Sequence, residues 1–148
     1  MAKKLAKLRE QGSIKVSRPM GLEEYDPAYK DADIRFQVWV TLTRAHKEAV
    51  SEMGTWLNGE IAAAKEQARE MPDETERAAF LEEANTRTNA AYDVKMMDWL
   101  SDTWLDWDRD EVQELYDLLT ENHPDAWEWL VQRTTEIIRE YRERRSKN

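Results

Sequence analysis

Residues 96–130 read MMDWLSDTWLDWDRDEVQELYDLLTENHPDAWEWL. Asp108 and Glu111 have the Asp-x-x-Glu spacing of a capping box, which starts a helix by satisfying two free backbone N–H groups. Val112, Leu115, Leu118 and Leu119 then recur at helical spacing and form one apolar face. Asn122-His123-Pro124-Asp125 is a turn, with Pro124 at the first position of a last helix, where its missing N–H costs nothing. That helix buries Trp127, Leu130, Val131, Thr134, Ile137, Ile138 and Tyr141. Upstream, Asp73 or Thr75 opens a long helix reaching about Trp107, with Phe80, Leu81, Ala84, Ala91, Val94, Met97, Leu100, Trp104 and Trp107 facing inward.

Further toward the N-terminus, Thr43 is an N-cap for a helix through Met71, ended by Pro72. Its apolar face is Ala49, Val50, Met53, Trp56, Leu57 and Ile61. Gly54 and Gly59 weaken its middle, and a break near Asn58-Gly59 is expected. Ile34–Leu42 alternates apolar and polar residues and reads as a strand. A lone strand is not stable, so it needs a partner: Ser13–Val16, or a neighbouring subunit. The fold class is therefore mainly α, with one N-terminal β segment (strand or hairpin) followed by a bundle of about four helices. Residues 1–33 read as a basic, partly irregular arm, and 34–148 as a helical domain with an initial strand.

Of 148 residues, 41% are hydrophobic and 36% charged, with a net charge of -9. The apolar content supports a packed core. The negative balance opposes nucleic acid. No apolar run reaches the roughly 18 residues of a membrane span. The basic start, MAKKLAKLREQG, lacks the apolar core of a secretory signal, so a cytoplasmic location is expected. Cysteine is absent, which removes disulfides and thiolate chemistry. Charge is segregated: both ends are basic, whereas 96–130 holds eleven carboxylates and the single cation Arg109. Head-to-tail attraction between copies, or within one copy, follows from that pattern.

Few residues suggest chemistry. Asp106, Asp108 and Asp110 open like a calcium loop, but Glu111 stands where the turn requires Gly and Asp117 where a bidentate Glu is usual. His46 and His123 read as surface residues. No nucleophile–base arrangement, phosphate loop or zinc motif is present, so no catalytic, cofactor or metal residue is assigned. Protein recognition fits better. Five of the seven tryptophans lie in 96–130, and indole is a frequent anchor at interfaces. Trp104, Trp107 and Trp127 have core spacing, whereas Trp39 and Trp129 fall off the apolar stripes and are candidate surface anchors. Asp98, Asp102 and Asp106 are spaced by four, as along one helix face, and form a candidate docking row for a basic partner.

Two segments, IRFQVWVTLTRAHKEAV (34–50) and MMDWLSDTWLDWDRDEVQELYDLLTENHPDAWEWLVQRTTEII (96–138), resemble the tail assembly chaperones of long-tailed bacteriophages. The likeness lies in a strand leading through Leu-Thr into a charged helix, then an apolar segment closing on Trp107-Asp108, a short helix, a polar turn and a Trp/Leu-rich helix. Arg109-Asp110-Glu111 departs from the short Gly-containing turn that such proteins often have there. The resemblance implies a non-enzymatic protein in the host cytoplasm that coats a long helical client, the tape-measure protein, and self-associates along it. Trp39, Trp104, Trp107, Trp127 and Trp129 would supply contact area, and Asp98, Asp102 and Asp106 selection for charge. The alternative is a structural phage component, such as a head-tail connector or minor virion protein. A third reading is an enzyme using carboxylates with a divalent ion.

Overall fold

The computed structural model describes residues 2–11 and 15–147. The fold is mainly α, with a two-stranded antiparallel hairpin near the N-terminus and four long helices after it. In chain order the elements are α1 (Ala2–Gln11), β1 (Ser17–Gly21), two 3-10 turns (Leu22–Glu24 and Pro27–Ala32), β2 (Arg35–Trp39), α2 (Arg44–Arg69), α3 (Glu74–Thr103), α4 (Arg109–Asn122) and α5 (Pro124–Lys147). They divide into two compact units, 44–99 on one hand and 1–43 with 100–148 on the other. The division does not follow the residue-33 boundary drawn from composition.

In the second of these units the hairpin pairs Ser17 with Trp39 and Met20 with Phe36. The partner of β2 is thus Ser17–Gly21. Of the expected partner Ser13–Val16, residues 13 and 14 lie outside those described, and Val16 flanks β1, its carbonyl accepting from the Val40 N–H at 2.9 Å. Phe36, Val38 and Val40 are buried, as the alternation requires, and Met20 and Leu22 join them. The arm therefore enters the core at Met20 to Leu22, and residues 24–28 and 30–33 are exposed.

The helix expected to reach Trp107 stops at Thr103. The reason is a long-range pairing that local periodicity does not report. Trp104 forms an antiparallel bridge with Val38, and the Leu105 N–H donates to the Gln37 carbonyl at 3.0 Å. The chain leaves the helix to extend the sheet. Trp104, 0% exposed, then packs on Phe36 at 4.4 Å between ring centroids and edge-on to Trp127 at 6.1 Å. Its indole N–H donates to the Thr134 hydroxyl at 3.0 Å, tying this corner to α5. Aromatic pairs of this kind add roughly 0.5–1.5 kcal/mol to the area they bury.

Asp108 caps α4 as the sequence indicates: its carboxylate accepts from the Glu111 N–H at 2.8 Å, and the Glu111 carboxylate accepts from the Asp108 N–H at 3.2 Å. Val112, Leu115 and Leu119 are buried against the unit, but Leu118 is 55% exposed, at the edge of the apolar stripe rather than within it. Val94 on α3 is likewise exposed. In α5, Trp127, Leu130, Thr134, Ile137 and Ile138 are buried at the expected spacing.

The unit spanning 44–99 is a helical hairpin of α2 and most of α3. Pro72 closes α2, and Asp73 opens α3 by accepting from the Thr75 N–H at 2.9 Å. The break expected at Asn58-Gly59 is absent; α2 runs unbroken for 26 residues. Two glycines cost about 1 kcal/mol each relative to alanine, less than the packing of a whole helix face returns. His46 is not a free surface residue: its ring stacks on Trp99 at 4.8 Å, and the Trp99 indole N–H donates to the His46 carbonyl at 3.0 Å. Among the described residues, no helix is long and apolar enough to cross a membrane.

Candidate protein-binding surface

Two short turns after β1 carry tyrosines. Buried Leu22 anchors the first, its N–H donating to the Ile34 carbonyl at 3.0 Å, while the Glu24 carboxylate accepts from the Gly21 N–H at 2.7 Å. Tyr25 ends that turn. Asp26 then caps the second turn, accepting from the Ala28 N–H at 2.9 Å, with Pro27 pre-set at its first position. Tyr29 follows one turn later. Asp33 terminates the segment in the left-handed region, φ 53°, and its carboxylate holds the Arg35 guanidinium at 2.6 Å. That hydrogen bond, with the charges of Glu23 and Asp33, raises the Arg35 pKa against a small loss from burial.

These turns meet the α4–α5 junction. The Trp129 ring lies 5.7 Å from Tyr25, Tyr25 lies 6.4 Å from Tyr29, and His123 stands edge-on to Tyr29 at 5.7 Å. The result is a run of four rings, Trp129–Tyr25–Tyr29–His123. Tyr25 is 37% exposed, His123 is exposed, and Tyr29 and Trp129 are half-buried. Burial, then the neighbouring Tyr25 and Asp26, push the Tyr29 phenol up from its ordinary value, so it stays neutral at physiological pH. Exposed carboxylates of Asp26, Glu121, Asp125 and Glu128 flank these rings in sequence. Among the described residues, no acceptor meets the Trp129 indole N–H. The surface thus offers aromatic area, an open donor and a negative rim, a combination suited to an amphipathic basic segment.

The other candidate residues land elsewhere. Trp39 is not a surface anchor: it is 6% exposed, with its N–H on the Thr41 hydroxyl at 3.0 Å and the Lys15 ammonium 4.8 Å from its ring. The second face of β2 is covered at its Trp39 end, while Arg35 on the same face is exposed, which alternation alone does not reveal. Trp104 and Trp127 are core residues. Trp107 is half-buried, stacked on Phe36 at 4.8 Å, and its N–H donates to the Arg35 carbonyl at 2.9 Å. Asp98, Asp102 and Asp106 are exposed, but α3 ends at Thr103, so Asp106 does not continue a helical row with the other two. Of the anchors expected from sequence, Trp129 alone sits in the ring cluster, and Tyr25, Tyr29 and His123 complete it. The available signal was Tyr25-Asp26-Pro27-Ala28-Tyr29, two tyrosines around an Asp-Pro turn start.

No protein-family model, no curated protein and no solved structure matches this chain, so its function is read from the surface described above.

Proposed function

We propose that the chain is a non-enzymatic protein-binding module, acting in the host cytoplasm as a tail assembly chaperone that keeps a long helical client soluble. The observation that carries the reading is the Trp129–Tyr25–Tyr29–His123 run: aromatic area left partly open, with an indole donor that meets no acceptor among the described residues, on a protein of net charge -9. The apolar face of an amphipathic helix laid on those rings would bury them, and the acidic exterior would keep the complex from aggregating. On the resemblance of residues 34–50 and 96–138 to tail assembly chaperones, the client of this reading is a tape-measure protein.

Co-expression with the tape-measure protein of the same genome tests this. The wild-type chain is expected to hold that protein in the soluble fraction and to co-purify with it. Trp129→Ala with Tyr25→Ala is expected to weaken binding by at least 2 kcal/mol, about thirtyfold, at unchanged helicity. Equal solubility with and without the chain refutes the reading. Mass spectrometry of purified particles addresses the alternative, because a structural component remains in them and a chaperone does not.

A further inference from the structure

A second surface, on the unit formed by 1–43 and 100–148, has the opposite charge. Beside the C-terminal part of α5 is a cleft of about 430 Å³, lined by Arg18, Arg133, Glu140, Tyr141, Arg144 and Arg145 among others. Arg133 is already neutralised, with Glu136 at 3.3 Å and Glu140 at 3.1 Å. Burial works against its charge, but the hydrogen bonds and charges of those two glutamates outweigh it and raise its pKa. The other three guanidiniums have no carboxylate partner among the described residues. Two of them gather on one ring: Arg18 lies 5.1 Å from the centre of Tyr141, and Arg145 lies 5.9 Å from it while donating to the Tyr141 hydroxyl at 3.2 Å. Cation–π contacts hold like charges together there, and an anion entering the cleft would relieve their repulsion.

The complementary surface is on α4. Asp110, Glu114, Asp117 and Glu121 are spaced by four, three and four residues, which sets them in one stripe within about 60° of arc. All four are exposed, and none belongs to an ion pair among the described residues. Leu118, exposed beside the stripe, adds an apolar contact. The same helix geometry puts the stripe opposite Val112, Leu115 and Leu119, the face α4 buries. The stripe therefore points away from α5, and a copy's own cleft is closed to it.

We infer that the arginine cleft around Tyr141 receives the acidic α4 stripe of a second copy of this chain. Polyphosphate chains are disfavoured as occupants because the protein as a whole repels them at net charge -9. Two different surfaces meet, so the contact is heterologous: one copy keeps its stripe free and the other its cleft. Such a contact propagates into an open chain unless its rotation closes a ring. It does not depend on the client-binding reading, since the rings around Trp129 take no part in it.

Charge-neutral variants test the pairing. Arg144→Ala with Arg145→Ala empties the cleft, and Glu114→Gln with Asp117→Asn neutralises the stripe. All four positions are exposed, so folding should be unaffected, which circular dichroism checks. In sedimentation velocity the wild type is expected to form a concentration-dependent series of oligomers. Each variant alone is expected to associate at least about tenfold more weakly. Their equimolar mixture is expected to give dimers that grow no further, because one intact cleft meets one intact stripe. A monomeric wild type, variants that associate like the wild type, or a mixture that stays monomeric would each overturn the inference. So would a monomeric chain whose cleft takes up single-stranded RNA.

Discussion

Replacing Thr134 by Val and Trp104 by Phe, singly and together, tests the corner that fixes β2 against α5. Thr134 is fully buried; its hydroxyl accepts from the Trp104 indole at 3.0 Å and donates to the Leu130 carbonyl at 2.7 Å. Thr134→Val leaves the indole N–H without an acceptor in a site closed to water, at a cost of about 1–3 kcal/mol. Trp104→Phe is different. It removes the donor, but the Thr134 hydroxyl keeps Leu130 as its acceptor, so the cost is lost contact area, about 1–3 kcal/mol and below the range for Trp→Ala. In the double variant no donor is orphaned, and the two costs do not add. The double variant should be less destabilised than the sum of the singles by about 1–2 kcal/mol. Urea unfolding followed by far-ultraviolet circular dichroism, compared at equal denaturant dependence, measures this. Additivity within about 0.5 kcal/mol, or an unmoved midpoint for Thr134→Val, would refute the assignment of this hydrogen bond as a structural tie.

Three further outcomes are expected. Asp108→Ala removes the side-chain half of the α4 capping box, the acceptor of the Glu111 N–H, while the backbone N–H at 108 keeps its Glu111 acceptor; it should cost about 0.5–2 kcal/mol, a Tm drop of a few degrees by calorimetry, with Asp108→Asn recovering most of it. Gly59→Ala should stabilise by about 0.5–1 kcal/mol, since a Cβ there meets nothing within 4 Å and the helix is unbroken; a lower melting temperature would contradict that geometry. Burial, then Tyr25 and Asp26, raise the Tyr29 pKa from its ordinary 10.0, and burial, then Asp93, raise that of Tyr92. The neutral phenols are favoured in the folded state, so their stabilisation is complete below about pH 10 and lost as pH rises through the raised values. Phenolate absorbance titration should show these two ionising late, and denaturation midpoints should decline across the same interval.

Periodicity carried most of the architecture. The alternation of Ile34–Leu42, the capping box at Asp108, Pro72 and Pro124 locate a strand and three helix boundaries because each rests on a local rule. The failures are non-local. Trp104 keeps helical spacing with Met97 and Leu100, and only its bridge to Val38 explains why the helix stops before it. Trp39 alternates outward, yet its ring is covered by residues that the strand pattern does not name. The ring cluster was half legible. Trp129 stood off the buried stripe of its helix, but Tyr25 and Tyr29 belong to a segment whose conformation is set by Asp26, Pro27 and the packing of Leu22. His123 joins them because the α4–α5 turn brings it there.

The indole donors sort the tryptophans by role. Trp39, Trp99, Trp104 and Trp107 each give their N–H to an acceptor within the chain. A ring held by packing and by its donor is an anchor of the fold, and its removal would abolish binding and folding alike. Three rings keep the donor open among the described residues. Trp127 is buried between Trp104 and Tyr116, and the Lys95 ammonium lies 4.9 Å from the Trp56 ring, which leaves Trp129 as the half-buried ring joined to an exposed aromatic run. Its substitution should therefore separate recognition from stability. Trp129→Phe retains most of the aromatic area and forfeits the donor, while Trp129→Ala forfeits both. If a partner accepts that hydrogen bond, the Phe variant should bind about tenfold more weakly and the Ala variant weaker still, with both melting near the wild type. Equal binding by the wild type and the Phe variant would reduce Trp129 to contact area alone, and a large loss of melting temperature in either would return it to the core.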